Sequence, residues 1–172
     1  MLRLATLFPL LLSAVPVFAE EEPGPQRAVA HLAPTKGHAV SGSVTFTPQA
    51  RGVTVNAEIS GLPVGKHGFH IHEFGDCSAP DAASAGDHFN PFGRRHGAPQ
   101  DEERHAGDFG NITANEDGHA TLTVSSEYLA FDGPGGLLGR SVVVHANEDD
   151  LKSQPTGAAG ARLACGIIGV AK

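Results

Sequence analysis

His70 and His72 stand two residues apart in the segment GFHIHE that begins at Gly68. On a β-strand this spacing sends both imidazoles to one face, while Phe69 and Ile71 turn to the opposite face and into a core. Two ring nitrogens on one rigid face make half of a metal site. Further along the chain come His88, His96 and His105, with Asp108 three residues after the last of them. Three imidazoles and one carboxylate are the borderline nitrogen and oxygen donors of a closed tetrahedral zinc site. His145, which ends the run VVVH from Val142, is a further imidazole available to the first pair. Taken alone, any of these histidines reads as a surface or hydrogen-bonded residue. Six of the chain's ten histidines grouped with one aspartate read instead as holders of a pair of metal ions, suited to one-electron redox chemistry.

Such side chains need rigid elements to carry them. Residues 40–47 alternate, with Val40, Gly42, Val44 and Phe46 against Ser41, Ser43, Thr45 and Thr47, and residues 53–59 alternate again after a turn at 49–52. The pattern predicts two paired strands. Further strands are expected at 68–73, 112–114, 120–124, 142–145 and 162–170, with a hairpin turn at Asn115-Glu116-Asp117-Gly118. Residues 74–107 have no periodic apolar face and are dense in Gly, Pro, Asp and His. A loop this long is usually functional or disordered, and here cross-links and metal ligands are expected to order it. A second irregular stretch spans 146–160, and neither an internal repeat nor an amphipathic helix is evident. About eight short strands with two long loops point to an all-β fold, an antiparallel sandwich or barrel; 22 Gly, 12 Pro and no Trp agree with strands joined by turns.

The beginning of the chain reads as a targeting segment. Arg3 precedes an apolar run over 4–15, and Val17-Phe18-Ala19 supplies the small residues of a cleavage site, so residues 1–19 are predicted to be a signal peptide. Pro9 and Pro16 interrupt the run, which falls short of the roughly 20 residues a membrane span needs. Residues 20–36 are expected to be a short leader and the start of the first strand, and 37–172 a single domain. The formal charge of −7 becomes −8 when the segment carrying Arg3 is removed, which argues against a nucleic-acid partner. An exported chain with two cysteines, Cys77 and Cys165, is expected to join them in an intramolecular disulfide.

The segments GFHIHE from Gly68, AGDHFNP from Ala85, RRHGAPQDEERHAGD from Arg94, VVVHA from Val142 and GAAGARLACGIIG from Gly157 together resemble the copper/zinc superoxide dismutases, over about 37–172. The resemblance implies a Greek-key antiparallel fold of eight strands, a sandwich or flattened barrel. It implies copper at His70, His72, His88 and His145 and zinc at His88, His96, His105 and Asp108, one ion of each per subunit, with His88 serving both. Spacing alone could not have shown that sharing. It further implies dismutation of superoxide by copper cycling between Cu(II) and Cu(I), with His88 releasing copper and taking a proton in the reduced state. Asp149 matches a carboxylate that links the outer ring nitrogens of His70 and His96, and Arg162 an arginine beside the copper opening that meets the anion. A homodimer and a periplasmic or secreted location are implied, with no membrane attachment after cleavage.

His67 matches a histidine with a structural, hydrogen-bonding role, and His31, His38 and His119 match no ligand position. Asn111-Ile112-Thr113 is a formal glycosylation sequon. Two departures from the family pattern stand out. Cys77 directly follows Asp76, earlier than in cytosolic eukaryotic members, which suggests the bacterial exported branch. The loop between Asp150 and Arg162 is short and lacks the family's acidic and lysine steering residues, with Lys152 as a weak substitute. A metal carrier on the same domain would need neither Arg162 nor an open copper position, and a metal-free adhesion sandwich would need none of the ligands.

Overall fold

The computed structural model describes residues 24–172; the expected signal peptide lies outside them. The nine strands are β1 (Ala28–Pro34), β2 (Ser41–Pro48), β3 (Val53–Ser60), β4 (Gly65–His72), β5 (Asp108–Ala114), β6 (Ala120–Ser126), β7 (Ser141–His145), β8 (Arg162–Ile167) and the two-residue β9 (Gly169–Val170). The alternation read from the sequence sets the first hairpin: Val44 faces Ala57 and Phe46 faces Val55 across β2 and β3, and all four are buried. The hairpin turn closes by a hydrogen bond from Gln49 N–H to Gly52 O at 3.0 Å.

Antiparallel pairing orders the sheet β5-β4-β7-β8-β1-β2-β3-β6, with β9 added to β1. The chain passes from β3 to β4 and from β6 to β7 without pairing them, which is a Greek-key path. The strands at the two ends of the order, β5 and β6, are consecutive in the chain. A tight turn joins them, with Gly118 N–H on Asn115 O at 3.0 Å and Asn115 N–H on His119 O at 2.9 Å, so the edges come together and the sheet forms a nearly closed barrel.

One core fills the interior. Phe46, Phe69, Ile59, Ile71 and Ile112 are its large, fully buried members, joined by Val142 and Val144 of β7. All five residues of β7 are buried, although an antiparallel strand usually leaves one face wet. Its outer face is covered: Val143 packs under the long loop with Ala82, Ala85 and Cys165. In β4 the same division places Phe69 and Ile71 inward, and His70 and His72 on the outer side, buried as well. The chemistry-bearing face is thus outside the barrel wall and beneath the loops.

Three elements differ from the sequence reading. The strand β1 falls wholly within 20–36, so the segment expected to hold a short leader and only the start of the first strand contributes that strand complete. The strand β5 starts at Asp108 rather than at 112, because Gly110 adopts a left-handed φ of 67° and the pairing with β4 shifts register between Gly68 and His70. An irregularity of that kind erases alternation. The single strand expected at 162–170 is two, since Ile168 leaves the ladder to bury its side chain and bonds its N–H to Arg140 O at 2.9 Å.

Between β4 and β5 the regular structure is one short turn of 3-10 helix, Ala83–Ala85, as the long-loop reading expected. A disulfide between Cys77 and Cys165 fastens this loop to β8. Ser141 Oγ–H donates to Phe74 O at 2.7 Å and Arg140 Nη1 to Glu73 O at 2.5 Å, which fix the loop's beginning. Cysteines 88 residues apart close a long loop, and such a bridge typically contributes about 2–5 kcal/mol. Cys165→Ser is therefore expected to lower the unfolding free energy of the metal-free protein by about that amount, read as a fall in the urea midpoint. An unchanged midpoint would show that the loop is held without the bridge.

Candidate metal centre

Two groups of donors converge under the loops. The atoms offered by His70, His72, His88 and His145 all lie within 4.8 Å of one another, as do those of His88, His96, His105 and Asp108. Every one of these residues is buried. Each residue the sequence singled out as a metal ligand is therefore in one of the two groups, and His88 is in both.

Hydrogen bonds on the far side of each ring leave the near side free. His70 donates from Nε2 to Asp149 Oδ2 at 2.8 Å, His72 from Nδ1 to Gly86 O at 2.9 Å, and His145 from Nδ1 to Gly160 O at 3.3 Å. A neutral imidazole that donates from one nitrogen offers a lone pair at the other. His72 Nε2 and His145 Nε2 then face each other at 3.3 Å, while His70 Nδ1 and His88 Nε2 are buried without a hydrogen-bond partner. Lone pairs so arranged repel unless a cation lies among them. Four imidazole nitrogens suit copper.

The second group gathers round Asp108. Its Oδ1 is 2.8 Å from His88 Nδ1 and 3.3 Å from His105 Nδ1, and its Oδ2 is 3.0 Å from His96 Nδ1. Backbone N–H groups of Gly97 and His105 also donate to Oδ2, at 3.2 and 2.9 Å. Three nitrogens and one carboxylate oxygen are a zinc donor set. Burial opposes ionisation of Asp108, but its hydrogen bonds to His105, His88 and His96 overcome that and hold its pKa well below the usual carboxylate range.

Asp149, almost fully buried, ties the groups together. Besides His70 it accepts from His96 Nε2 at 3.0 Å and from Leu151 N–H at 2.7 Å. Burial again works against its charge, and the bonds to His70 and His96 outweigh it, so its pKa is depressed. For His72 and His145, burial is the largest influence and neighbouring imidazoles add to it, driving both pKa values far down. His88, buried beside His70, is lowered to about 4. His96 goes the other way: burial would lower it, yet Asp108 and Asp149 on its two nitrogens push it up to about 9.

What brings the segments together is main chain. Ile71 N–H bonds Gly107 O at 3.0 Å, Gly107 N–H bonds Phe89 O at 3.0 Å, and Phe89 N–H bonds Ile71 O at 2.8 Å. This closed triangle links the residue between His70 and His72, the residue after His88 and the residue before Asp108. A side chain at Gly107 would run into Ile71 O. Sequence reasoning missed this triangle, since nothing in the types of Ile71 and Phe89 separates them from other core residues. It missed Gly157 as well, where a Cβ would overlap the Asp149 carboxylate and His96 Nε2.

Arg162 lies at the start of β8, with Nη1 donating to Ala82 O at 2.6 Å and Nη2 to Gly86 O at 2.7 Å. The Gly86 carbonyl is also the acceptor for His72. Beside the guanidinium opens a cavity of about 270 Å³ that Lys36, His38 and Asp81 help to line. His67 bonds the carbonyls of His145 and Pro63, both at 2.9 Å, the structural place expected of it. His31 and His38 are exposed, and His119 meets Ser60 Oγ at 2.9 Å. The sequon asparagine is engaged: Asn111 Nδ2 donates to Asp149 O at 2.9 Å and its Oδ1 accepts from Asp149 N–H at 2.8 Å.

These features agree with comparisons to known proteins. The solved structure of the clock protein EA4 superposes with a TM-score of 0.80 at 40% sequence identity, over 90% of this chain and 100% of that one. The profile of copper/zinc superoxide dismutase matches residues 40–168. Since that span runs from the residue before β2 to the residue after β8 and takes in all seven donor residues, the chain belongs to the copper/zinc superoxide dismutase family.

Proposed function

We propose that the protein dismutes superoxide to oxygen and hydrogen peroxide outside the cytoplasm, holding copper at His70, His72, His88 and His145 and zinc at His88, His96, His105 and Asp108. The observation that carries this reading is the division of His88. Its Nδ1 faces Asp108 at 2.8 Å, and its Nε2, buried and without a partner, is left for the other group. When bound, copper supplies a centre that alternates between two oxidation states, and zinc a fixed positive charge.

The chain's own residues supply the rest. Asp149 fixes the orientation of His70 and His96, so that their inner nitrogens point at the two groups. His88 Nε2, buried and without a hydrogen-bond partner, is the atom of this chain at which a proton would be held once it is not a ligand. Arg162 keeps N–H groups beyond the two its carbonyl partners use, and these are free to meet a small anion. In a chain of net charge −7 this local cation must oppose the overall field. The disulfide agrees with an oxidising compartment, and among the described residues no helix is long and apolar enough to cross a membrane.

A solved relative is named for timekeeping rather than for catalysis, so dismutation must be assayed directly alongside metal content. The mature, disulfide-bonded protein is expected to carry copper and zinc, to lose activity when copper is stripped and to regain it on reloading; activity that survives stripping would overturn the assignment. In the same assay Arg162→Ala should slow turnover by about tenfold or more with copper retained. Loss of copper from that variant would place Arg162 among the residues that hold the metal.

A pH dependence follows from His96. With a pKa of about 9, it is protonated at pH 7 in the metal-free protein, clasped between two carboxylates. Zinc must displace that proton, so uptake at pH 7 should release about one proton per ion. The release should fade as the pH rises beyond about 9, where the ring is already neutral. Calorimetry in buffers of different ionisation enthalpy measures it, and no release at pH 7 would show His96 to be neutral there.

We also propose a homodimer. Phe74, Ile167 and Val170 are large apolar residues with half or more of their surface exposed, and the Phe74-Gly75 turn lies against Ile167. Patches of this kind commonly serve as contacts between subunits. Sedimentation equilibrium should give a dimer that Ile167→Glu dissociates; a monomeric parent protein would refute it.

A further inference from the structure

The loop that carries His96 and His105 is gripped from outside by one aromatic ring. Tyr128 follows β6 and is half-buried. The Arg94 guanidinium carbon lies 4.5 Å from its ring centroid, and so does that of Arg104. Arg94 stands two residues before His96, and Arg104 one residue before His105. The ring therefore touches both limbs of the loop next to a donor on each.

The contacts continue to the donors themselves. Arg104, about 6% exposed, donates from Nη1 to His105 O at 3.0 Å and to Asp108 O at 3.4 Å, and from Nη2 to Ser126 Oγ at 3.3 Å. Ser126 Oγ in turn accepts the backbone N–H of Tyr128 at 3.3 Å. On the other limb, Arg94 Nη1 donates to Glu102 O at 2.5 Å, and the Tyr128 hydroxyl donates to the same carbonyl at 3.2 Å. Asn90 holds Arg94 through both backbone groups, at 2.9 and 2.8 Å.

Two guanidinium groups that each lie 4.5 Å from one ring centroid repel each other, and the attraction of the ring's electron-rich faces for cations is a physical reason for them to stay. We propose that Tyr128 is a positioning residue for the zinc group: through Arg104 it sets the backbone of His105 and Asp108, and through Arg94 the limb that leads to His96. The proposal rests on the zinc reading above. It concerns the affinity and geometry of that group and leaves the four-histidine group unaffected.

The test uses the full mature, disulfide-bonded protein, with zinc affinity measured by chelator competition and the group's geometry by the absorption spectrum of bound Co(II). Tyr128→Phe keeps both ring faces and should match the parent protein in each measurement. Tyr128→Leu should raise the zinc dissociation constant about tenfold, in the range expected for lost cation–π contacts. It should also change the Co(II) spectrum while copper affinity stays as in the parent. Should Tyr128→Leu fail to fold, Arg104→Lys, which keeps the charge but loses the stacked plane and the forked hydrogen bonds, must show the same selective loss. Unchanged zinc affinity in Tyr128→Leu and Arg104→Lys, or equal weakening of copper and zinc, would overturn the proposal. A parent protein that takes up copper but no zinc would instead overturn the zinc assignment, and this inference with it.

Discussion

Lone pairs held close together in a place without water repel each other, and this fold gathers them deliberately. Six imidazoles and a carboxylate are buried with their free donor atoms turned inward. Contacts among the donors relieve this only in the group round Asp108, so other bonds must hold the segments that bear the rest. The triangle among Ile71, Phe89 and Gly107 does this through main-chain groups, whose hydrogen bonds persist whatever the protonation or metal content of the neighbouring side chains. Outward-facing bonds to Asp149, Gly86 and Gly160 then fix how each ring is turned. In the metal-free protein the carboxylates of Asp108 and Asp149 on either side of His96 raise its pKa, so a proton on that ring would relieve part of the repulsion.

The barrel separates the work of folding from the work of the site. Strands β4 and β7 present apolar residues inward, where Phe69, Ile71, Val142 and Val144 join the core. Their other face holds His70, His72 and His145 under the loops. That outer face would be wet in most antiparallel sheets. Here the disulfide, the carbonyl contacts of Arg162 and the small cluster round Val143 hold a cover over it. The cover lowers the effective dielectric around the donors, which strengthens every charge–charge term inside it and drives most of the histidines to their neutral, ligating form.

Where chemistry followed the strand period, the sequence was enough to read it. The spacing of His70 and His72 placed two rings on one face, the run before His145 placed a third at a strand end, and the expectation of a loop ordered by cross-links over 74–107 agrees with the structure. Where geometry departed from the period, the reading thinned. Gly110 and the bulge in β4 concealed the first half of β5, and β1 was taken partly for leader because its alternation is short. Asp149 stands among three consecutive acids, Glu148 to Asp150, and only family resemblance set it apart. Tyr128, Asn111 and Gly157 gave no signal, because their importance lies in contacts across the fold: a ring between two guanidinium groups, an amide paired with the backbone of Asp149, and space for a carboxylate.

The main-chain triangle has a further meaning for how such a centre changes over evolutionary time. Because amides and carbonyls, common to every residue type, tie the three segments together, these links do not depend on which side chains stand at His70, His72, His88 and His105. Selection on a descendant could therefore retune which ion is preferred while inheriting the same architecture; Gly107, where a side chain would run into Ile71 O, is a residue that such a history would find hard to replace.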